Sequence, residues 1–226
     1  MFSRLRVVGF LLWSFIFLAA QDIDSVPSVQ KRNLASIADE IADSAERSVF
    51  LQLFKPAAPA EMRARAEAFH VRFAQSAFLA QAYEVAARGC FDLGEYELGL
   101  SYAQKSLALL PENPLLLVPV ADVEARQQLN SATVAHASEA LDDLDRFAGP
   151  ASIRDEDWPN VKQQLKSTAN FAKGRALLQS ALTQPGGETR RESLKNSEAS
   201  LFEAKKLTPT DPDIDKAIRI AQTARK

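Results

Sequence analysis

Cysteine is almost missing from this chain of 226 residues: Cys90 stands alone, so no disulfide can close within it and packing must hold the fold. Histidine is nearly as scarce, and His70, His136 and Cys90 together cannot build a standard structural zinc site without carboxylates. Glycine is thin, at 8 residues, and none of them falls into G-x-G-x-x-G or G-x-x-x-x-G-K-[ST], the loops that cradle phosphates. H-E-x-x-H, C-x-x-C and G-x-S-x-G are also missing. Basic charge is not in excess: 27 Lys+Arg face 29 Asp+Glu, for a net charge of -2. That removes the broad positive footprint of a nucleic-acid binder. Strict apolar alternation of strand type appears nowhere, so the expectation is an all-α chain, not an enzyme, with no cofactor and no metal.

Long apolar runs are lacking too, except at the start. Arg4 and Arg6 precede a stretch from 7 to 20 interrupted only by Gly9 and Ser14. As a helix it would cover about 21 Å, short of a hydrocarbon core of roughly 30 Å. A basic start, a short apolar run and the small pair Ala19-Ala20 match a secretory signal peptide cut after Ala20. The alternative is an uncleaved anchor, which would make the chain a membrane-tethered envelope assembly factor. Either way the bulk lies outside the cytoplasm, periplasmic or secreted, and the membrane is touched only through this segment. Residues 21–32 read as a polar linker and 33–226 as one helical domain.

Helix follows helix along that domain. Asn33 is placed to cap a helix over 33–54, with Leu34, Ile37, Ile41, Ala45 and Val49 on one side, until Pro56 and Pro59 break it. The pattern then predicts helices over 60–73, over 76–93 with Ser76 as cap, over 96–110, over 114–128 and over 131–147. Pro119 lies inside the fifth of these, where a kink or a late start is expected. After an irregular connection, helices are predicted over 159–184, 188–207 and 213–224.

Sliding the chain by 34 residues sets Tyr83 on Leu117, Ala86 on Val120, Ala87 on Ala121, Ala103 on Ala137, Leu107 on Leu141 and Leu110 on Leu144. The ending Leu109-Leu110-Pro111-Glu112-Asn113-Pro114 returns as Leu207-Thr208-Pro209-Thr210-Asp211-Pro212. Such a period is the mark of stacked helical hairpins. With Tyr83, Ala86, Ala87, Gly94, Tyr96, Gly99, Ala103, Ser106 and Pro111 at the large-and-small pattern, the chain resembles the tetratricopeptide repeat family. Cys90 departs from the family's usual aromatic, and Asn130 replaces the second copy's. The best copies are 80–113 and 114–147, with a degenerate one over 159–212 whose small site is Gly174.

The resemblance implies antiparallel helical hairpins stacked as a right-handed solenoid, with Ala87 and Gly99 where the helices of one hairpin cross closely. It also implies a concave groove for a protein or peptide partner. The inward residues would be Gln81, Glu84, Arg88 and Phe91 in the first copy, and Leu115, Val118, Asp122 and Arg126 in the second. Glu84 and Arg88 occupy the first two places of the Lys/Asn clamp that some members use for a terminal carboxylate, which disfavours that kind of receptor. The function so implied is an exported scaffold for protein–protein interaction. Arg88→Ala or Phe91→Ala is then expected to weaken capture without unfolding the chain.

Other chemistry has bland explanations. Cys90 sits at an apolar helical position between Ala87 and Leu93, His70 reads as half-exposed and His136 as solvated. Asp142, Asp143, Asp145, Asp155, Glu156 and Asp157 form an acidic cluster that could hold a hard cation, making a small-molecule or cation binder the third reading. Phe147 and Ala148 break the calcium-loop spacing, and carboxylates just before Pro159 suit a helix N-terminus.

Overall fold

A computed structural model describes residues 37–150 and 153–225, which belong to one compact unit. The expected signal segment, the linker and the cap Asn33 lie outside the described residues. Among those described the chain is all-helical and no strand occurs: α1 (Ser44–Leu53), α2 (Pro59–Arg72), α3 (Leu79–Leu93), α4 (Tyr96–Leu109), α5 (Pro114–Arg126), α6 (Asn130–Arg146), α7 (Trp158–Thr183), α8 (Glu188–Leu207) and α9 (Pro212–Arg225). No helix among them is long and apolar enough to cross a membrane.

Local chemistry sets the boundaries. The helix expected over 33–54 is broken: the chain leaves helical geometry after Ala38, and α1 starts at Ser44. Asp43 is the cause, because its Oδ1 accepts from the backbone N–H of Ala45 at 2.7 Å and of Glu46 at 3.4 Å. Arg47 pins the break by donating to Ile41 O at 3.1 and 2.8 Å. Ser76 does not cap α3 directly; its Oγ accepts from Phe78 N–H in the turn ahead of Leu79. Pro59 and Pro114 begin α2 and α5, where a missing N–H costs nothing.

Pro119 does not delay α5, which runs from Pro114 through it without interruption. Its missing N–H would have bonded the carbonyl of Leu115, and Arg88 Nη2 donates to that carbonyl instead, at 2.6 Å. A side chain from the preceding hairpin therefore completes the helical bonding of the next.

The 34-residue shift is visible in backbone geometry. Gly94 has φ 76 and the N–H of Glu95 bonds Cys90 O at 2.9 Å. One period later Gln128 has φ 61 and the N–H of Leu129 bonds Glu124 O at 2.9 Å. Both are left-handed C-terminal turns of the same hydrogen-bond type. The second copy makes its turn without glycine.

Consecutive helices pack against one another, and the contacts within each pair run in opposite chain directions. Ser106 Oγ donates to Ala80 O at 2.8 Å across α3 and α4. Across α7 and α8, Ser197 Oγ donates to Gly174 O at 2.8 Å and Ser167 Oγ to Ala204 O at 3.2 Å. Small residues allow these approaches. A Cβ on Gly99 would lie 2.5 Å from Phe91 Cδ1, and one on Gly174 would lie 2.7 Å from Leu201 Cγ. The closest backbone approach is elsewhere: a Cβ on Gly89 would meet Pro59 O at 2.7 Å, so α2 lies against α3 as closely as α4 does.

The core is a chain of local clusters. Phe50, Phe69 and Phe78 join α1, α2 and the start of α3, with ring centroids 6.1 and 5.1 Å from that of Phe50. Burying each of the fully enclosed Phe50 and Phe69 contributes about 1.5–3 kcal/mol. Leu116 and Val120 of α5 pack with Ala87 and Ala103 of the preceding hairpin. Ala121, Ala125, Ala137 and Ala172 bring α5, α6 and α7 together, and Leu194, Leu201, Ile214 and Ile218 close the far end.

Candidate functional site

A groove of about 570 Å³ opens where α1, α2, α3, α5 and α7 converge. Leu53 comes from the end of α1 and Met62 from α2; Val85 and Leu115 form the middle; Val161 and Leu165 come from the first half of α7. Val161 and Leu165, four residues apart on one helix, present a common face. Glu84 and Arg88 lie between these apolar side chains as an ion pair: Arg88 Nη2 and Nε reach Glu84 Oε1 at 2.9 and 3.0 Å. Glu84 Oε2 accepts from Asn113 Nδ2 at 2.8 Å, and Arg88 goes on to Leu115 O. The pair is thus built into the floor, and the groove is largely apolar, lined by one fixed, satisfied ion pair and by the exposed Lys55.

The structure brings three of the eight expected inward residues into this groove: Glu84, Arg88 and Leu115. Gln81 sits on the same helix outside the groove, half-buried, and its Oε1 is enclosed with no hydrogen-bond partner among the described residues. Phe91 is taken into packing, its ring pressed on Gly99 and grouped with Leu116 and Val120. Val118, 2 % exposed, is core between α5, α6 and α7, beside Leu144, Trp158 and Ala169. Asp122 and Arg126 pair with each other at 2.8 Å on α5, away from the groove. Replacing Arg88 or Phe91 by Ala therefore cannot leave the fold untouched: Arg88 completes α5 and Phe91 fills space between hairpins. Leu53, Met62, Val161 and Leu165 escaped the repeat pattern because they lie on helices outside the two best copies.

Chemistry elsewhere is mostly structural. Cys90 is fully buried and burial pushes its thiol pKa up, the opposite of an activated nucleophile. His70 Nδ1 lies 3.0 Å from Tyr83 OH, and Tyr102 donates to Glu67 Oε1 at 2.9 Å. Burial, then the bond to Glu67, pushes the Tyr102 phenol up to about 12. The acidic cluster is divided among cations: Asp143 with Arg146, Asp145 with Lys166, and Asp157 with Arg154. Its bond to the Lys166 ammonium holds Asp145 below the usual carboxylate range. Asp157 stands at the N-cap of α7, but its side chain makes no capping bond. No group of three His, Cys, Asp or Glu side chains among the described residues converges tightly enough for a metal ion.

His136 is a correction. Expected as solvated, it is half-buried with Nδ1 2.9–3.0 Å from both carboxylate oxygens of Glu124, which is buried. The bond to Glu124 raises the imidazole pKa above its ordinary value, against the opposing effect of burial. Glu124 escaped notice because it reads as one more charge on an amphipathic helix. No protein-family model, curated protein or solved structure matches the chain.

Proposed function

We propose that this chain is an exported, non-enzymatic scaffold of the tetratricopeptide-repeat type that holds an apolar segment of a protein partner in the slot between α1, α2, α3, α5 and α7. The observation that carries this reading is the slot itself. Met62, Leu115, Val161 and Leu165 stay half-exposed there across helices distant in sequence, over the buried Leu53 and Val85, while its charged pair is already satisfied from within. A concave apolar site with few fixed polar groups is what segment binding needs. The recurrence of one turn geometry at Gly94 and Gln128 supports the repeat assignment, and the basic-then-apolar start at 1–20 supports export.

Affinity capture from the native envelope or medium, with the full chain as bait, tests the function. Leu165→Arg puts a charge into the slot and should lose the captured protein while the variant still unfolds in one cooperative transition, at a lower temperature because Leu165 also packs on the core. A partner kept by both Leu165→Arg and Met62→Arg would put binding elsewhere and overturn the assignment. Intact mass tests export: a mature protein beginning at Gln21 supports it, and a retained Met1 supports the anchored alternative.

A further inference from the structure

A second cavity, about 690 Å³, lies on the α4–α5–α6 side of the molecule. It exists because the backbones of α4 and α5 approach at few positions. Leu100, Leu107, Val120 and Leu129 form the apolar part of its wall, and Ser101 and Gln104 add neutral polar groups. Three titratable groups face it: Glu97 of α4, Glu124 of α5 and His136 of α6, with Glu139 near His136 on the same helix. Among the described residues no Lys or Arg lines it. The Glu124 side chain is only 7 % exposed, yet among the described residues both of its oxygens share a single donor, His136 Nδ1. A carboxylate offers about four acceptor sites, so this buried one is underused. When His136 is neutral, the site holds buried negative charge with no cation to offset it, a costly arrangement.

We propose that this cavity binds a small organic ammonium with an apolar body, the cation docking on Glu124 and the hydrocarbon lying on Leu100, Leu107, Val120 and Leu129. The volume falls within the roughly 300–1,000 Å³ of small-molecule sites. His136 is the built-in competitor for Glu124. Protonated, it supplies the positive charge itself; neutral, it gives way to the ligand. Because Glu124 raises the His136 pKa, binding tightens as pH rises through that raised value and is suppressed below it. The site is separate from the slot between α1 and α7, and its test does not depend on any partner protein.

Hexylammonium, hexanol and hexanoate, titrated calorimetrically into the full chain at about pH 5.5 and about pH 8, make the test. Hexylammonium should bind at pH 8 at least about tenfold more tightly than hexanol or hexanoate, and at least about tenfold more tightly than at pH 5.5. Glu124→Gln should lose that preference. Should Glu124→Gln fail to fold, His136→Ala reads the same linkage: with the competitor gone, hexylammonium binds equally at both pH values and raises the variant's melting temperature more than the parent's. Equal affinity for hexanol, binding in the parent indifferent to pH, or no binding in the millimolar range overturns the proposal.

Discussion

The α3–α4 hairpin meets α5 through large side chains, Phe91, Leu100, Leu107, Leu116 and Val120, and through the Arg88 bond to Leu115 O. On the other side, α5 and α6 meet α7 through Ala121, Ala125, Ala137 and Ala172, all buried and with backbones close together, and also through the larger Leu117, Val118, Leu144 and Trp158. At the first seam large side chains hold the backbones apart and leave the cavity above Glu124; at the second the alanines let the backbones touch, and the larger side chains beside them are closely packed. One molecule thus uses two kinds of seam. The open one carries polar groups that can titrate or bind, and the closed one is purely packing. The cavity above Glu124 lies beside the seam that did not close, and the slot reaches from that hairpin across to α7.

The largest expected effect breaks the open seam at its anchor. Leu116 is fully enclosed, so Leu116→Ala should cost about 2–5 kcal/mol in urea unfolding, the transfer loss plus the cavity left behind. Next comes an identical substitution with unequal results on the two sides. Ala172→Leu at the closed seam should cost about 1–3 kcal/mol by overpacking. Ala108→Leu, exposed on the wall of the cavity, should stay within about 0.5 kcal/mol. Equal losses from these two would erase the distinction between the seams.

Arg88→Ala should cost about 1–3 kcal/mol, because it strips the Leu115 carbonyl of its donor. In Pro119→Ala the new N–H can take that carbonyl within the helix, so a double-mutant cycle should show the Arg88 loss shrinking. Additive losses would mean that Arg88 acts only through Glu84. Gln128→Gly should add stability, about 1 kcal/mol, since its backbone is left-handed and glycine carries no penalty there. Smallest is a pH effect. The folded-state pKa of His136 is raised, so the stability it lends is complete below the ordinary histidine value and fades as pH rises through the raised one. His136→Gln should flatten that dependence in urea melts between about pH 5.5 and 8.5.

Much of the helical layout could be read directly. Proline and glycine positions marked most boundaries from 59 onward, though neither stands between α2 and α3 or between α5 and α6, and 188–207 coincides with α8. The miss over 33–54 has a local cause, since the periodic face of Ile37, Ile41, Ala45 and Val49 outweighed Asp43 as a capping signal. Gly99 read correctly as a tight place and Ala87 is buried, whereas Gly89 stood outside the repeat pattern and gave no cue to its contact with α2. For the slot, only Glu84, Arg88 and Leu115 were legible; Met62, Val161 and Leu165 come together through packing across more than one hundred residues.

By itself, the order of residues settled the periodic and local matters: helices rather than strands, their breaks, and the 34-residue recurrence that reappears in the turns at 94 and 128. Those depend on neighbours within a turn or two, where side-chain size, caps and proline act directly. Only the tertiary structure decided that Arg88 completes a helix of another hairpin, that Phe91 and Val118 face inward, and that Glu124 meets His136 beside an open space. Such facts turn on how far apart two packed backbones stand. That distance is fixed jointly by side chains from several helices, and no single stretch of sequence encodes it.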